Sequence, residues 1–145
     1  MKRFTKWYGF ALAGLLAVGC ENRDKAIQPQ LEQNPVAIRI DQSARISQNV
    51  NVTVEKIEDS RCPANAVCVW MGFAKVTFTL KSGTASQTSD LCLGMCGQQQ
   101  KTSDVAVIRL DDRSYEVTLS EIRPYPGTKP DGTPQEAVLS VTEKK

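Results

Sequence analysis

Four stretches of this chain alternate apolar and polar residues with a period of two. That pattern restricts the fold more than any other feature of the sequence. Val50, Val52 and Val54 alternate with Asn51, Thr53 and Glu55, and Ala74, Val76, Phe78 and Leu80 alternate with Lys75, Thr77 and Thr79. Tyr115, Val117 and Leu119 alternate with Glu116, Thr118 and Ser120, and Ala137, Leu139 and Val141 with Val138, Ser140 and Thr142. Successive side chains of a strand point to opposite faces, so this period predicts antiparallel strands with one face on a core and the other in water. Shorter runs at 36–40 and 105–110 add two strands, and 85–91 adds a third. Turn-forming residues fill the breaks: Ser82-Gly83, Asp111-Asp112, Pro124 to Pro126 with Gly127, and Asp131-Gly132. No segment sustains the apolar stripe of an amphipathic helix. About seven short strands predict an all-β domain over residues 36–145, a small antiparallel β-sandwich or Greek-key barrel.

Composition narrows the chemistry. The chain has 145 residues, five Cys and no His. One domain is expected at this length. Without His there is no Ser-His-Asp or Cys-His nucleophilic set and no imidazole metal site. Asp111-Asp112 is the nearest thing to a catalytic carboxylate pair. Adjacent strand residues point to opposite faces, so a turn before Arg113 is the better reading, and the expectation is of no enzyme and no cofactor.

The odd cysteine belongs to the N-terminus. Lys2, Arg3 and Lys6 precede an apolar stretch from Trp7 to Val18. That stretch is shorter than the roughly 20 residues a helix needs to cross a bilayer, and it has the layout of a secretory signal peptide over residues 1–19. The sequence Leu16-Ala17-Val18-Gly19-Cys20 resembles the lipobox of bacterial lipoproteins, with Ala17 where Leu is commonest. The resemblance implies cleavage before Cys20, acylation of Cys20 including a palmitate-type chain, and anchoring in the cell envelope. Glu21, in place of Asp, implies the outer membrane by the enterobacterial sorting rule. Residues 20–35 are polar, with Pro29 and Pro35, and are expected to form a flexible tether. Removal of residues 1–19 leaves 15 basic against 16 acidic residues, so a net charge of +2 becomes −1. Nothing then draws the domain to nucleic acid by charge. The expected partners are the lipid bilayer, through Cys20, and an unidentified envelope protein or ligand.

Cys62, Cys68, Cys92 and Cys96 remain, in two close couples. In an oxidising compartment they are expected to be disulfides, with three connectivities open. Pairing within each couple is favoured, because the Pro63 loop and the Gly94 loop can each bring Cα atoms to about 5.5 Å. The crossed pairings would staple distant strands. A competing reading makes Cys92, Met95 and Cys96 soft ligands for Cu(I), with Met71 as a further candidate.

The segment Asp59-Ser60-Arg61-Cys62-Pro63, followed by Cys68, Trp70 and Gly72, is the most distinctive in the chain. It resembles a group of small secreted or lipid-anchored bacterial proteins marked by DSRCP, a second Cys and W-x-G. Arg123-Pro124-Tyr125-Pro126 and the last strand resemble that group's closing hairpin. The resemblance covers most of residues 46–143 and implies no particular activity. Cys92 and Cys96 are not part of the group's pattern.

These residues also have physical readings. Trp70 is expected to pack on the Cys62–Cys68 bridge, and Gly72 to allow a bulge or a close backbone approach. Asp59 and Ser60 are expected to accept backbone hydrogen bonds in a turn, and Arg61 to pair with Asp59 or another carboxylate. Together they form either a structural corner or a presented recognition loop.

Three functions compete at this point. The first is an anchored, non-catalytic interaction module. The second is an inhibitor of a secreted protease or lysozyme, presenting Arg61 from a disulfide-closed loop. The third is a Cu(I)- or thiol-based envelope protein.

Overall fold

A computed structural model describes residues 35–144. The signal peptide, Cys20 and all but the end of the tether lie outside the described residues. The described residues contain strands and turns and no helix. The strands are β1 (Val36–Arg39), β2 (Gln42–Arg45), β3 (Val50–Asp59), β4 (Phe73–Ser82), β5 (Ala85–Cys96), β6 (Gln99–Lys101), β7 (Asp104–Leu110), β8 (Arg113–Arg123) and β9 (Glu136–Lys144). They form two antiparallel sheets, of order β1-β9-β8-β7 and β2-β3-β4-β5-β6. The sandwich alternative is therefore the one realised.

The core is built from the alternating residues. Val52, Val54, Val76, Phe78 and Leu80 from one sheet and Val117, Leu119 and Leu139 from the other have no exposed surface. Phe78 is the largest of these side chains. The inward face changes phase twice. On β3 the buried positions run 50, 52, 54 and then 57; on β8 they run 115, 117, 119 and then 122. A register shift accompanies each change, between Val54 and Lys56 and between Leu119 and Glu121. One extra residue in a strand reverses which side chains face the core. The two bulges thus let Ile57 and Ile122 remain buried at the end of the sandwich where β3 and β8 finish.

Two strands go beyond the expected seven. β2 (QSAR) buries only Ala44 completely, and β6 (QQK) buries nothing completely. Both are short strands at one edge of the five-stranded sheet and the other. At four and three residues they are too short to show a period-two pattern. The hairpin between β7 and β8 pairs Leu110 with Arg113, leaving Asp111-Asp112 as a two-residue turn with Asp111 at φ 52°.

Asp104, at the start of β7, links the two sheets. Its Oδ2 accepts a hydrogen bond from the Cys92 N–H at 2.9 Å, and its Oδ1 accepts one from the Lys101 ammonium at 2.7 Å. Partial burial works to raise the Asp104 carboxyl, but those two donors together hold it below its ordinary value.

Two outcomes follow from this packing. Phe78→Ala should lower unfolding free energy by about 3–5 kcal/mol, measured by urea denaturation. Asp104 carries a lowered folded pKa, so its stabilisation is complete above its unfolded value and is lost as pH falls through the folded one. The stability gap between the native protein and Asp104→Asn should therefore be full near neutrality and close below about pH 4. Urea midpoints measured across pH check this.

Candidate functional site

The DSRCP segment begins where β3 ends. Asp59 is the last residue of β3, and the chain turns away from the sheet at Ser60. Arg61 folds back on Asp59. Its Nε donates to Asp59 Oδ1 at 2.8 Å and its Nη2 to Oδ2 at 2.6 Å, a two-pronged pair with side chains only 9% and 3% exposed. The Arg61 backbone N–H also donates to Asp59 Oδ1, at 3.2 Å. Distant segments satisfy the rest of the pair. Arg61 Nη2 donates to the Ile122 carbonyl at the end of β8 (2.9 Å), and Gln135 Nε2 donates to Asp59 Oδ2 from beside β9 (2.9 Å). The guanidinium carbon lies 4.4 Å from the Tyr125 ring centroid.

The loop beyond Arg61 is closed on itself. Cys62 and Cys68 are bonded, with Cα atoms 5.9 Å apart. The Ala66 N–H donates to the Pro63 carbonyl, and the Ala64 N–H donates to the Pro126 carbonyl across to the 124–127 turn. The return to β4 is held by Cys62 N–H on the Met71 carbonyl and by both the Ser60 N–H and Oγ on the Phe73 carbonyl. Ser60 therefore donates from its side chain, where acceptance was expected.

Gly72 has φ 69°, and a Cβ there would overlap the Ser60 carbonyl oxygen. On its other side the Met95 N–H donates to the Gly72 carbonyl at 2.9 Å. The close backbone approach expected at Gly72 is present on both sides.

The second bridge differs in form from the expectation. Cys92 and Cys96 are bonded to each other with Cα atoms 6.1 Å apart, and both lie inside β5 rather than at the ends of a loop. Four steps of extended strand would separate them by about 13 Å. The strand reaches the shorter distance by bending at Gly94, whose φ is 88°. Both sulfurs are consumed, so neither is the thiolate that the Cu(I) reading requires. Among the described residues, no group of three or more Cys, Asp or Glu is placed to hold a metal ion.

Trp70 is not the cover of the Cys62–Cys68 bridge. It is 59% exposed, so most of the indole is turned to solvent and not held over the bridge. The loop lies outside the two sheets, so it offers no inner face for an indole to fill. Arg61 is displaced from its expected role too. A side chain held in the Asp59 pair cannot enter a protease specificity pocket, and the inhibitor reading loses its contact residue.

What the corner presents is apolar. Val67 and Val69 are as exposed as in an isolated peptide (104% and 109%), and Met71 is 55% exposed beside Trp70. Residues 62–73, CPANAVCVWMGF, contain no charged side chain. That uncharged run was the signal in the sequence for this surface. The alternation around it drew attention to strands instead. Met71 also lines a groove of about 180 Å³ with Met95, Tyr125 and Lys101. The Asp111-Asp112 turn lies at the other end of β8, away from this corner.

Comparison with protein-family models, with curated proteins and with solved structures found no match.

The buried pair is the stabilising element of the corner. Asp59→Ala should cost about 3–5 kcal/mol, because Arg61 would remain buried without its counter-charge. The double variant Asp59→Ala with Arg61→Met should recover part of that loss. Urea denaturation of the single and double variants checks both values.

Proposed function

We propose that this protein is a lipid-anchored bacterial envelope lipoprotein, held in the outer membrane through Cys20, and that its β-sandwich is a non-catalytic interaction module. The observation that carries the reading is the uncharged, protruding loop 62–73, mounted on a buried ion pair and a disulfide. Large exposed apolar side chains on a soluble domain cost solvation and mark contact surfaces when they cluster. A loop already fixed in shape loses little entropy on binding. Two intramolecular disulfides accord with an oxidising compartment outside the cytoplasm. The N-terminal signal-type segment and the lipobox-like Leu16–Cys20 sequence support the same location. The absence of His throughout the chain supports a role in binding over one in catalysis.

Two measurements test the proposal. Mass spectrometry of the protein from bacterial membranes should find an N-terminal Cys20 carrying acyl chains, and Cys20→Ser should leave the detergent phase for the aqueous phase. A photocrosslinker placed at Val69 in the native envelope should give adducts, while one at the exposed Gln87 should give none. Equal labelling from both positions would overturn the assignment of the loop as the contact surface.

A further inference from the structure

The same loop has a surface that suits one kind of partner. We propose that loop 62–73 docks into the headgroup region of the bilayer that holds Cys20, with Val67, Val69, Trp70 and Met71 entering the interface. This rests on the reading of Cys20 as the membrane anchor.

The chemistry of the loop favours lipid over protein. Asn65 is the one polar side chain among residues 62–73 apart from the bonded cysteines. A protein interface of ordinary kind carries a hydrogen bond for every 100–200 Å² or so and has a polar rim. This surface has little to offer such a partner. Its Arg61 is turned inward. Aliphatic side chains with a Trp beside them are what a membrane interface takes up, the indole sitting at headgroup level with its N–H in water.

The surrounding charges do not oppose or drive the contact. Lys75 is paired with Glu58, Lys101 with Asp104 and Arg123 with Glu136. Lys129 and Asp131, which line a pocket with Pro63 and Asn65, are of opposite sign, so the charges near the loop are mixed and the contact is apolar in origin.

Chain length permits it. Sixteen steps separate Cys20 from Val36, a span of at most about 55 Å. Val36 pairs with Leu139, three residues from Glu136 at the corner end of β9. That is about 10 Å along the sheet, well inside the reach of the segment. An anchored chain also holds the loop near the bilayer at an effective concentration on the order of millimolar, so a weak intrinsic affinity suffices.

Trp70 makes the test direct. The chain has two Trp, and Trp7 lies in the segment that cleavage would remove. In a chain beginning at Cys20, Trp70 is the sole indole. Cys20 is also the sole cysteine outside the two bridges, so its thiol can be coupled to a maleimide lipid in vesicles of phosphatidylethanolamine and phosphatidylglycerol. This supplies an anchor whatever modification the natural protein carries. Trp70 emission should shift to shorter wavelength, and brominated acyl chains should quench it about twofold or more. The quenching should be insensitive to salt and to the phosphatidylglycerol fraction. Val67→Asp with Val69→Asp should remove it while leaving the melting temperature and the vesicle attachment unchanged. Unquenched emission from the tethered, folded protein would overturn the membrane contact. So would exclusive crosslinking of position 69 to protein in the native envelope. Failure to find acyl chains on natural Cys20 would instead overturn the anchor and leave the vesicle result standing, so the two failures are separable.

Discussion

The Asp59–Arg61 pair joins four separate parts of the chain at one point. Asp59 ends β3, Ile122 ends the buried run of β8, Tyr125 lies in the turn after it, and Gln135 precedes β9. Two charges placed out of water are a net cost unless their remaining hydrogen-bonding capacity is met. Here it is met by a two-pronged contact, a backbone carbonyl, a carboxamide and an aromatic face. Satisfying the pair therefore requires the two sheets to end in register with each other. The bulges on β3 and β8 help to set that register, because each changes which residues face the core just before its strand reaches the corner.

The loop inherits its rigidity from that junction. Arg61 is adjacent to Cys62, so fixing the guanidinium fixes the start of the disulfide loop. Gly72 fixes its end, since only a residue without Cβ passes between the Ser60 carbonyl and the strand carrying Met95. Between these two points the backbone's own bonds and one disulfide hold the loop. The apolar residues at its tip are thereby kept exposed. A longer, looser loop would be free to fold Val67 and Trp70 back onto the domain.

Much of the fold was legible from alternation, because burial of one sheet face leaves a period-two imprint on every strand long enough to show it. The strands the alternation missed, β2 and β6, are only four and three residues long, too short to carry that imprint. The local pairing of the cysteines was legible as one of three connectivities. That Cys92 and Cys96 bridge within a bent strand was not, because Gly94, where the strand bends, lies against Gly72 at the return of a distant loop. Asp59 was recognisable as one candidate carboxylate for Arg61. Tyr125 and Gln135 were not recognisable as neighbours, because they lie more than sixty residues from Arg61 along the chain and only the packing of the sheets brings them close.

The sequence by itself determined the class of fold, the inward residues of β3, β4, β8 and β9 wherever the alternation runs unbroken, and the absence of imidazole chemistry. These are local or compositional properties: a side chain's face follows from its neighbours two positions away, and a missing residue type is missing everywhere. Only the tertiary structure decided which way Arg61 and Trp70 point. Arg61 faces inward because a carboxylate, a carbonyl and an aromatic ring from three segments surround it. Trp70 faces water because the loop that carries it lies beyond both sheets and has no interior of its own.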